Sequence, residues 1–348
     1  DGNIVIFDYI VCNRDEANGA SSFTLSGTVG GFSNVTITTV NNAAGGDAPE
    51  TIKSIKYNAP RDYTAQDRAV TADDYKVLVK SLYANAQSVQ VYGGEDAAVP
   101  DYGKVYISIK AKSGSNLTEV TKTSLVQNLK SFAVASVTPV IIDPETTFIT
   151  LETTFKYDSS LTTKDVSTLQ TNVLNAITSY NTSTLEDFTG MFRYSAVGQT
   201  IDGADTSILS NITKVKMYKF ITPTLESALK YTLSFNNALF NPHSGHNATG
   251  GGIISSSGFK ISNDSSTNEH FLDDDGAGVV RVYYLSDTTR VYTDSTYGTI
   301  DYATGEVILT SANITSISNV DGATSTQIRV FVIPSSNDIV PVRNQVLS

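Results

Sequence analysis

The sequence predicts an α+β fold, with a central ferredoxin-like (split βαβ) α/β sandwich flanked by β-rich regions. Three observations lead to this prediction. From residue 104 onward, the predicted elements follow the order strand, helix, strand, strand, helix, strand. Two segments carry apolar residues at helical spacing behind a capping threonine. Hydrophobic residues make up 40% of the chain and charged residues only 17%, a balance that favours β-rich structure over long solvated helices.

Strands and turns are predicted at both ends of the chain. In residues 1–50, short apolar runs alternate with small polar residues between glycine pairs, which predicts the end of an upstream β-rich domain. Residues 223–348 show the same alternation and are predicted to be a β-rich C-terminal domain, with a hairpin whose turn is Thr304-Gly305. The polar stretch 241–278, rich in glycine and aspartate, is predicted to be a long loop.

The middle segment, residues 51–222, is the predicted α+β domain. A charged loop led by Pro60 runs into a helix capped by Thr71, with Asp74 as its acidic partner three positions on. The other predicted elements of this segment are strands at 88–92, 104–110, 137–142, 147–157 and 212–220, and helices at 118–132, 162–180 and 191–197.

The strongest helix prediction is at 162–180. Thr162 is the predicted cap, Asp165 stands three positions on, and Leu161 can pack against Val166 as a hydrophobic staple. The apolar residues that follow repeat at helical spacing on one side. Such a stripe most often packs on a sheet, so we expect this helix to cover one face of the central sheet, with a membrane or a partner groove as the alternative.

Charge and cysteine content limit the possible partners. The chain has 24 Lys and Arg against 35 Asp and Glu, a formal net charge of −11, and no basic stripe, so nucleic-acid binding is disfavoured. The sequence has no run of about 18 apolar residues, so no transmembrane helix is predicted and no membrane partner is expected. The first residues lack Met and a signal pattern, which suggests a fragment or a processed chain. The single cysteine, Cys12, is expected to be a buried small hydrophobe, with a reactive thiol as the alternative.

A metal-dependent hydrolase is the alternative function that the histidines suggest. His243 and His246 lie in the predicted loop close to Asp274, and imidazole and carboxylate are ordinary zinc ligands. The His-x-x-His spacing is weak alone, however, and polar loops gather histidine by chance. The run Asp273-Asp274-Asp275-Gly276 fails as a calcium loop because its twelfth position is Tyr284. No nucleophile elbow, phosphate loop or zinc-protease helix is present.

A carbohydrate-binding β module in the C-terminal half is a further alternative. Such modules use exposed aromatic platforms, and the absence of Trp argues mildly against one. The 18 tyrosines outnumber the 14 phenylalanines, and tyrosine is favoured at protein contacts. Composition therefore leans towards an interaction protein.

An ordered set of short motifs in the middle segment carries a family resemblance. The motifs are Ala59-Pro60, Arg68-Ala69-Val70-Thr71, Asp74-Tyr75, Val91-Tyr92-Gly93-Gly94-Glu95-Asp96, Pro100 and Tyr102-Gly103-Lys104-Val105. As a set, they resemble the baseplate J-like family. With the hairpin around Thr304-Gly305, the chain is similar to the C-terminal portion of inner-ring wedge proteins of T-even-like contractile-tailed phages. The signature residues are Pro60, Arg61, Arg68, Thr71, Asp74, Tyr75, Gly93, Gly94 and Gly103.

The resemblance implies a structural virion protein that is not an enzyme and uses no metal or cofactor. Proteins of that kind are assembled in the host cytoplasm and reside in the tail baseplate. They form a ring around the hub through alternating contacts between copies, hold neighbouring wedge proteins and the sheath initiator, and rearrange when the tail contracts.

The charged signature residues also have a local interpretation. Arg61 and Arg68 are predicted to pair with nearby aspartates and to brace the loop on the helix start, where exposed ion pairs are worth about 0–1 kcal/mol each. This interpretation makes the segment a rigid brace and places the working surfaces on the flanking regions.

Overall fold

The described part of the chain forms two compact units. The computed structural model describes residues 16–17, 20–37, 43, 51–66, 68–97, 99–112, 116–246, 252–264 and 268–348. Unit 1 comprises residues 1–144 and unit 2 comprises residues 145–348. The three predicted domains, 1–50, 51–222 and 223–348, do not coincide with these units, and that division stays a prediction. Cys12 and part of the segment 1–50 that was predicted to form strands lie outside the described residues.

Residues 20–37 contain no regular strand, although strands were predicted there. The single pairing in this range is an isolated bridge between Val29 and Phe32. Phe23 and Phe32 are exposed, so no buried face supports a sheet in this range.

Unit 1 is a three-stranded sheet with helices. Its sheet has the order β1-β2-β3, in which β1 is antiparallel to β2 and β2 is parallel to β3. The parallel pair is connected through a helix, as such a crossover requires. The elements are α1 (Ile52–Ala65), α2 (Ala72–Leu82), β1 (Ala86–Gly93), β2 (Lys104–Ala111), α3 (Glu119–Lys130) and β3 (Thr138–Ile142). The core between helices and sheet includes Tyr75, Leu78, Val79, Val89, Ile107, Ile109, Leu125 and Leu129.

The predicted loop at Pro60 is part of helix α1, so that prediction is wrong. Thr51 caps α1 by accepting a hydrogen bond from the amide of Ser54 at 3.2 Å. Proline has no amide hydrogen and normally disfavours a helix interior. Here it is tolerated within an already capped helix, which ends at Gln66 in the left-handed conformation.

Unit 2 contains the remaining strands and two helices. A five-stranded sheet has the order β14-β4-β5-β13-β7, and helices α4 and α5 lie between β4 and β5 in sequence. A second sheet has the order β11-β10-β9-β8-β12-β6. The elements are β4 (Glu145–Tyr157), α4 (Val166–Tyr180), α5 (Tyr194–Asp202), β5 (Ile208–Ile221), β6 (Ala228–Ser234), β7 (Ser255–Ser256), β8 (Phe259–Ile261), β9 (His270–Asp274), β10 (Val279–Ser286), β11 (Thr289–Asp301), β12 (Glu306–Ile317), β13 (Ile328–Val332) and β14 (Gln345–Leu347).

The second sheet of unit 2 closes into a five-stranded barrel. Strands β8 to β12 pair in a ring because β11 and β12 also pair with each other, while β6 extends β12 outside the ring. Closure leaves the five strands without a free edge within the ring. The predicted hairpin with Thr304-Gly305 is confirmed as the β11–β12 turn, with Asp301 opposite Glu306.

The ferredoxin-like sandwich is a wrong prediction, although the class α+β is right. The six predicted elements occur in the expected order, but β2 and β3 belong to unit 1 and β4 and β5 belong to unit 2. The physical reason is strand pairing across long sequence distances. β1 occupies one side of β2, and β13 and β14 from the C-terminal end complete the sheet of β4 and β5.

Two further boundaries differ from the sequence predictions. Helix α4 begins at Val166, and its cap is Asp165, which accepts a hydrogen bond from the amide of Thr168 at 3.0 Å. Thr162 was the predicted cap, but it bonds the amide of Lys164 in the preceding turn. The stretch 241–278 is not one long loop, because it contains β7, β8 and β9. No helix among the described residues is long and apolar enough to cross a bilayer.

Candidate functional site

The signature residues of unit 1 cluster at the start of α2. Thr71 accepts a hydrogen bond from the amide of Asp74 at 3.3 Å, and the Asp74 carboxylate accepts from the amides of Thr71 at 2.8 Å and Val70 at 3.1 Å. The predicted reciprocal cap is therefore confirmed. Burial acts to raise the pKa of Asp74, but these hydrogen bonds outweigh it and hold the pKa below its usual value.

Tyr75 is a core residue of unit 1. Its side chain is 1% exposed and packs among the apolar residues between α2 and the sheet. Burial raises the pKa of its hydroxyl, and the neighbouring charge of Asp74 raises it further. The hydroxyl has no hydrogen-bond partner within the described residues. Tyr75 is thus placed for packing and has no geometry that would make it a catalytic acid.

Among the described residues, which leave out Asp67, the two signature arginines form no ion pair with an aspartate. The guanidinium of Arg61 donates to the carbonyl of Tyr57 at 2.7 Å and lies 3.7 Å from the centre of that tyrosine ring. Arg68 donates to the side chain of Gln66 at 3.0 Å. The aspartate at the helix start, Asp73, pairs instead with Lys76 at 3.0 Å. The arginines therefore serve local contacts in α1 and just after it.

The signature glycines shape the connection from β1 to β2. A Cβ atom on Gly94 would lie 1.9 Å from the carbonyl oxygen of Asp101, which no rearrangement of a side chain could relieve. Gly103 has φ +78°, in the left-handed region, and its carbonyl accepts from the amide of Thr138 on β3 at 2.9 Å. These positions require glycine for backbone reasons. The signature residues therefore have structural roles in caps, packing and turns, and they contain no arrangement of nucleophile, base and acid.

The histidine pair of the metal hypothesis is present but lacks its third ligand. Nδ1 of His246 lies 3.4 Å from Nε2 of His243, and both side chains are exposed. Asp274, the proposed carboxylate ligand, is buried and accepts hydrogen bonds from the Ile254 amide at 2.9 Å and the Tyr302 hydroxyl at 2.7 Å. Among the described residues, no group of three or more His, Cys, Asp or Glu is placed to hold a metal ion. The hydrolase hypothesis is not supported.

A buried ion network in unit 2 was not predicted from sequence. Asp273 is 1% exposed, and its carboxylate accepts from Arg281 Nε at 3.0 Å, Arg290 Nη1 at 2.8 Å and the Tyr292 hydroxyl at 2.8 Å. Strand pairing sets Arg281 directly opposite Asp273 across β9 and β10. The buried carboxylate and its three charged or polar donors connect strands β9, β10 and β11 of the barrel through side-chain hydrogen bonds. The sequence signal for this network is the position of Arg281, which follows the Asp273–Asp275 run at hairpin spacing.

The tyrosine hydroxyls around this network are hydrogen-bond donors and not bases. Burial raises the pKa of Tyr292, and its hydrogen bond to Asp273 raises it further. Burial likewise raises the pKa of Tyr302, followed by its bond to Asp274. Tyrosine is protonated at neutral pH even at its ordinary pKa of 10.0, so both hydroxyls can donate to a buried carboxylate.

Comparisons with known proteins define the class to which these units are similar. Residues 71–142 match the family model described as baseplate structural protein gp6, C-terminal domain I. Residues 145–220 match the model described as baseplate structural protein gp6, C-terminal domain III. The gap between the two matches contains the division between units 1 and 2. These matches relate the two segments to baseplate structural proteins.

A particular relative is the baseplate wedge protein gp6 of Enterobacteria phage T4. It is 28% identical to this chain over an alignment of 269 residues, and the match covers 69% of this chain and 40% of the relative. The chain thus spans 40% of the length of this relative. A chain of the 6-fold symmetrised cryo-EM structure of the anti-feeding prophage (AFP) baseplate aligns over 52% of this chain and 42% of its own, at 13% identity. Its TM-score is 0.36.

Proposed function

We propose that this chain is a structural component of a contractile-tail baseplate and resides in the virion. The observation that carries the proposal is the pair of consecutive matches, residues 71–142 and 145–220, to two C-terminal domains of one baseplate structural protein. The T4 wedge protein supports it over a longer range of sequence. The narrower resemblance to the baseplate J-like family, on the motifs from Ala59 to Val105, is part of the same proposal.

The site geometry supports a role without catalysis. The signature side chains at Thr71, Asp74 and Tyr75 cap and pack the first helix of the sheet unit. The buried carboxylate of Asp273 is paired with the buried Arg281 and with the partly exposed Arg290. A protein that transmits force between neighbouring subunits needs rigid units of this kind. Buried polar networks whose hydrogen bonds are satisfied make a fold rigid.

The proposed partners are further copies of the chain and other baseplate proteins. By the resemblance, the chain forms a dimer or ring with itself around the hub, contacts neighbouring wedge proteins and the sheath initiator, and rearranges when the tail contracts. Assembly takes place in the host cytoplasm. Binding to nucleic acid is disfavoured by the net charge of −11.

Reconstitution tests this proposal. The tagged full chain is co-expressed with the other baseplate genes of its own source, purified through the tag, and the co-purifying proteins are identified and counted by mass spectrometry. We expect a complex of fixed stoichiometry with other wedge components. Recovery of the chain alone, across a range of salt and protein concentrations, would contradict the proposal.

A further inference from the structure

Strand β4 has an edge without a strand partner over half of its length. β14 pairs with β4 at residues 145–147, and beyond them the Ile149 amide donates to the carbonyl of Ser348 at 2.8 Å. From Leu151 to Tyr157, no described strand pairs with β4 on the side away from β5. We call residues 151–157 the β4 edge. It presents a row of backbone donors and acceptors to a further strand.

The backbone groups on this edge belong to odd-numbered residues. The Ile149 amide and the Thr147 carbonyl both point towards β14, so their odd-numbered successors point the same way. The amides and carbonyls of Leu151, Thr153 and Phe155 therefore face outward in the plane of the sheet. Side chains of the odd residues Leu151 and Phe155 pack against the core of unit 2. The even-numbered side chains lie on the opposite sheet face.

The composition of the β4 edge suits strand pairing. Its sequence is Leu-Glu-Thr-Thr-Phe-Lys-Tyr, which has no proline and is rich in residues with high strand propensity. Its charged residues are Glu152 and Lys156, which lie four positions apart and are both exposed. An uncovered edge of this length without proline is a template for pairing with another strand.

We propose that a second copy of this chain covers the β4 edge, by antiparallel pairing of the two edges around a two-fold axis at Thr154. In this register, Thr154 lies opposite its own symmetry mate. Glu152 of each copy lies opposite Lys156 of the other copy, so the contact contains two opposite-charge pairs. The inference rests on the proposed function and assigns one of its self-contacts to a surface. A two-fold contact of this kind is self-complementary.

The register satisfies the backbone geometry as well as the charges. It places Thr153 opposite Phe155 as a hydrogen-bonded pair, as the outward odd-numbered amides require. Moving the axis to Glu152 or to Lys156 would set like charges face to face. Moving it to Phe155 would set Glu152 opposite Asp158. Moving it to Thr153 would leave neither Glu152, which lies 3.5 Å from Lys214 of its own chain, nor Lys156 opposite a charge of the other copy. The axis at Thr154 alone among these five positions pairs opposite charges.

The pairing joins the two sheets across the dimer. Each copy contributes the order β14-β4-β5-β13-β7, and the edges of β4 meet at the axis. The exposed Thr154 would then lie at the centre of a continuous sheet. Backbone hydrogen bonds between the two β4 edges would stabilise such a contact, and the opposite-charge pairs would fix its register. A fixed register suits a subunit that must keep one orientation relative to its neighbour.

Charge reversal of the full chain tests the register. The single variants Glu152→Lys and Lys156→Glu each set like charges opposite each other twice per dimer, so we expect the dimer dissociation constant to rise at least about tenfold. The double variant Glu152→Lys with Lys156→Glu restores the pairs in swapped form and should dimerise like the unmodified chain. Sedimentation equilibrium between about 1 and 100 μM measures all four proteins.

Disulfide trapping gives a second readout that does not depend on affinity. In a Cys12→Ser background, Thr154→Cys places two sulfurs across the axis in a non-hydrogen-bonded pair, with Cα atoms about 4.5 Å apart, within disulfide range. Mild oxidation should give a covalent dimer. The matched control Thr150→Cys lies on the same strand and face, but its symmetry mate is about 27 Å away in this register. It should stay monomeric on a non-reducing gel.

The outcomes separate this inference from the proposed function. Dimers weakened by single reversals and restored by the double variant, with trapping at position 154 only, support the β4 contact. A monomeric chain at 100 μM, equal dimerisation of all four proteins, or equal trapping at positions 150 and 154 overturns it. In those cases, a chain that still co-purifies with other baseplate proteins keeps its proposed function and loses this contact.

Discussion

Thr71 and Asp74 show what a few polar atoms contribute at the residue scale. Their reciprocal hydrogen bonds satisfy amides at the start of α2 that have no partner within the helix. Thr71→Ala removes the acceptor for the Asp74 amide, and we expect the free energy of unfolding to fall by about 1 kcal/mol. Urea titration followed by circular dichroism measures it. The control Thr123→Ala, inside α3, should stay within about 0.5 kcal/mol, and equal effects of the two variants would contradict the capping role.

Asp273 is the residue whose loss should cost most. Asp273→Asn would leave the buried Arg281 and the partly exposed Arg290 facing a neutral amide. Breaking one side of a buried ion pair typically destabilises on the order of 3 kcal/mol. The control is Asp275→Asn in the same acidic run, whose carboxylate accepts from the amides of Ala277 and Val279 in the turn. A loss at Asp273 no larger than that at Asp275, measured by thermal and urea unfolding, would show that the network contributes little.

His270 makes a pH-dependent contribution to stability. Its side chain is 1% exposed, and Nε2 lies 3.2 Å from Asp264 and 3.1 Å from Thr293, with the Tyr284 ring beside it. Burial lowers its pKa below the usual 6.5, although the charge of Asp264 opposes the shift. The unfolded chain then binds a proton more readily than the folded chain. The stability that the neutral His270 contributes is therefore complete above 6.5 and is lost as pH falls through 6.5 towards the folded-state pKa.

Urea unfolding between about pH 7.5 and 5.5 measures the slope of the free energy of unfolding against pH. His270→Gln should flatten it, because the replacement does not titrate. His243→Gln, at an exposed histidine, should leave it unchanged. A slope of equal size in both variants would mean that His270 is not the responsible group.

At the scale of the element, capping patterns were predictable and exact helix bounds were less so. Thr71 and Asp74 predicted the start of α2 because a capping box is a local interaction between neighbouring residues. At α4, two good capping residues stand three positions apart, and the structure uses Asp165 instead of Thr162. Pro60 misled the prediction of α1, because a cap nine residues earlier had already begun the helix.

Replacing Gly94 or Gly198 by alanine should change the stability of the protein in opposite directions. A Cβ atom on Gly94 would lie 1.9 Å from the backbone oxygen of Asp101, so Gly94→Ala should destabilise the β1–β2 corner by more than about 1 kcal/mol. Gly198 lies inside α5, and its Cβ would meet nothing closer than 3.8 Å. Gly198→Ala should therefore stabilise by about 0.5–1 kcal/mol, since alanine is the better helix former. Thermal unfolding of both variants tests the sign, and a shared sign would contradict the packing at one of the two sites.

At the scale of the whole molecule, strand pairing was the part that sequence patterns could not supply. The alternation of residues predicts a strand and its buried face, but not its neighbour. β14 pairs with β4 across about two hundred positions of sequence, at Gln345 opposite Glu145. The closed barrel likewise depends on short strands inside 241–278 that lack a clear alternating pattern. The ferredoxin-like prediction failed for this reason.

The candidate site was predictable where it was local and was missed where it was built by pairing. Thr71, Asp74 and Gly94 each have a local structural use that their spacing indicated. The ion network needs Asp273 and Arg281 to face each other across two strands, and the register of that hairpin was not known in advance. The His243 and His246 pair looked like chemistry in sequence but has no third ligand in the described part of the chain.

We propose that this chain is a baseplate component that works through contacts between subunits. The most direct measurement is cryo-electron tomography of contractile particles from the source of the chain, carrying a compact density tag on an exposed loop of unit 2, such as the turn at Asp287. For a baseplate component, we expect tag density in repeated copies around the axis at the baseplate end of the tail. Tag density along the sheath, at the head or on distal fibres, or absence of the chain from purified particles, would contradict it.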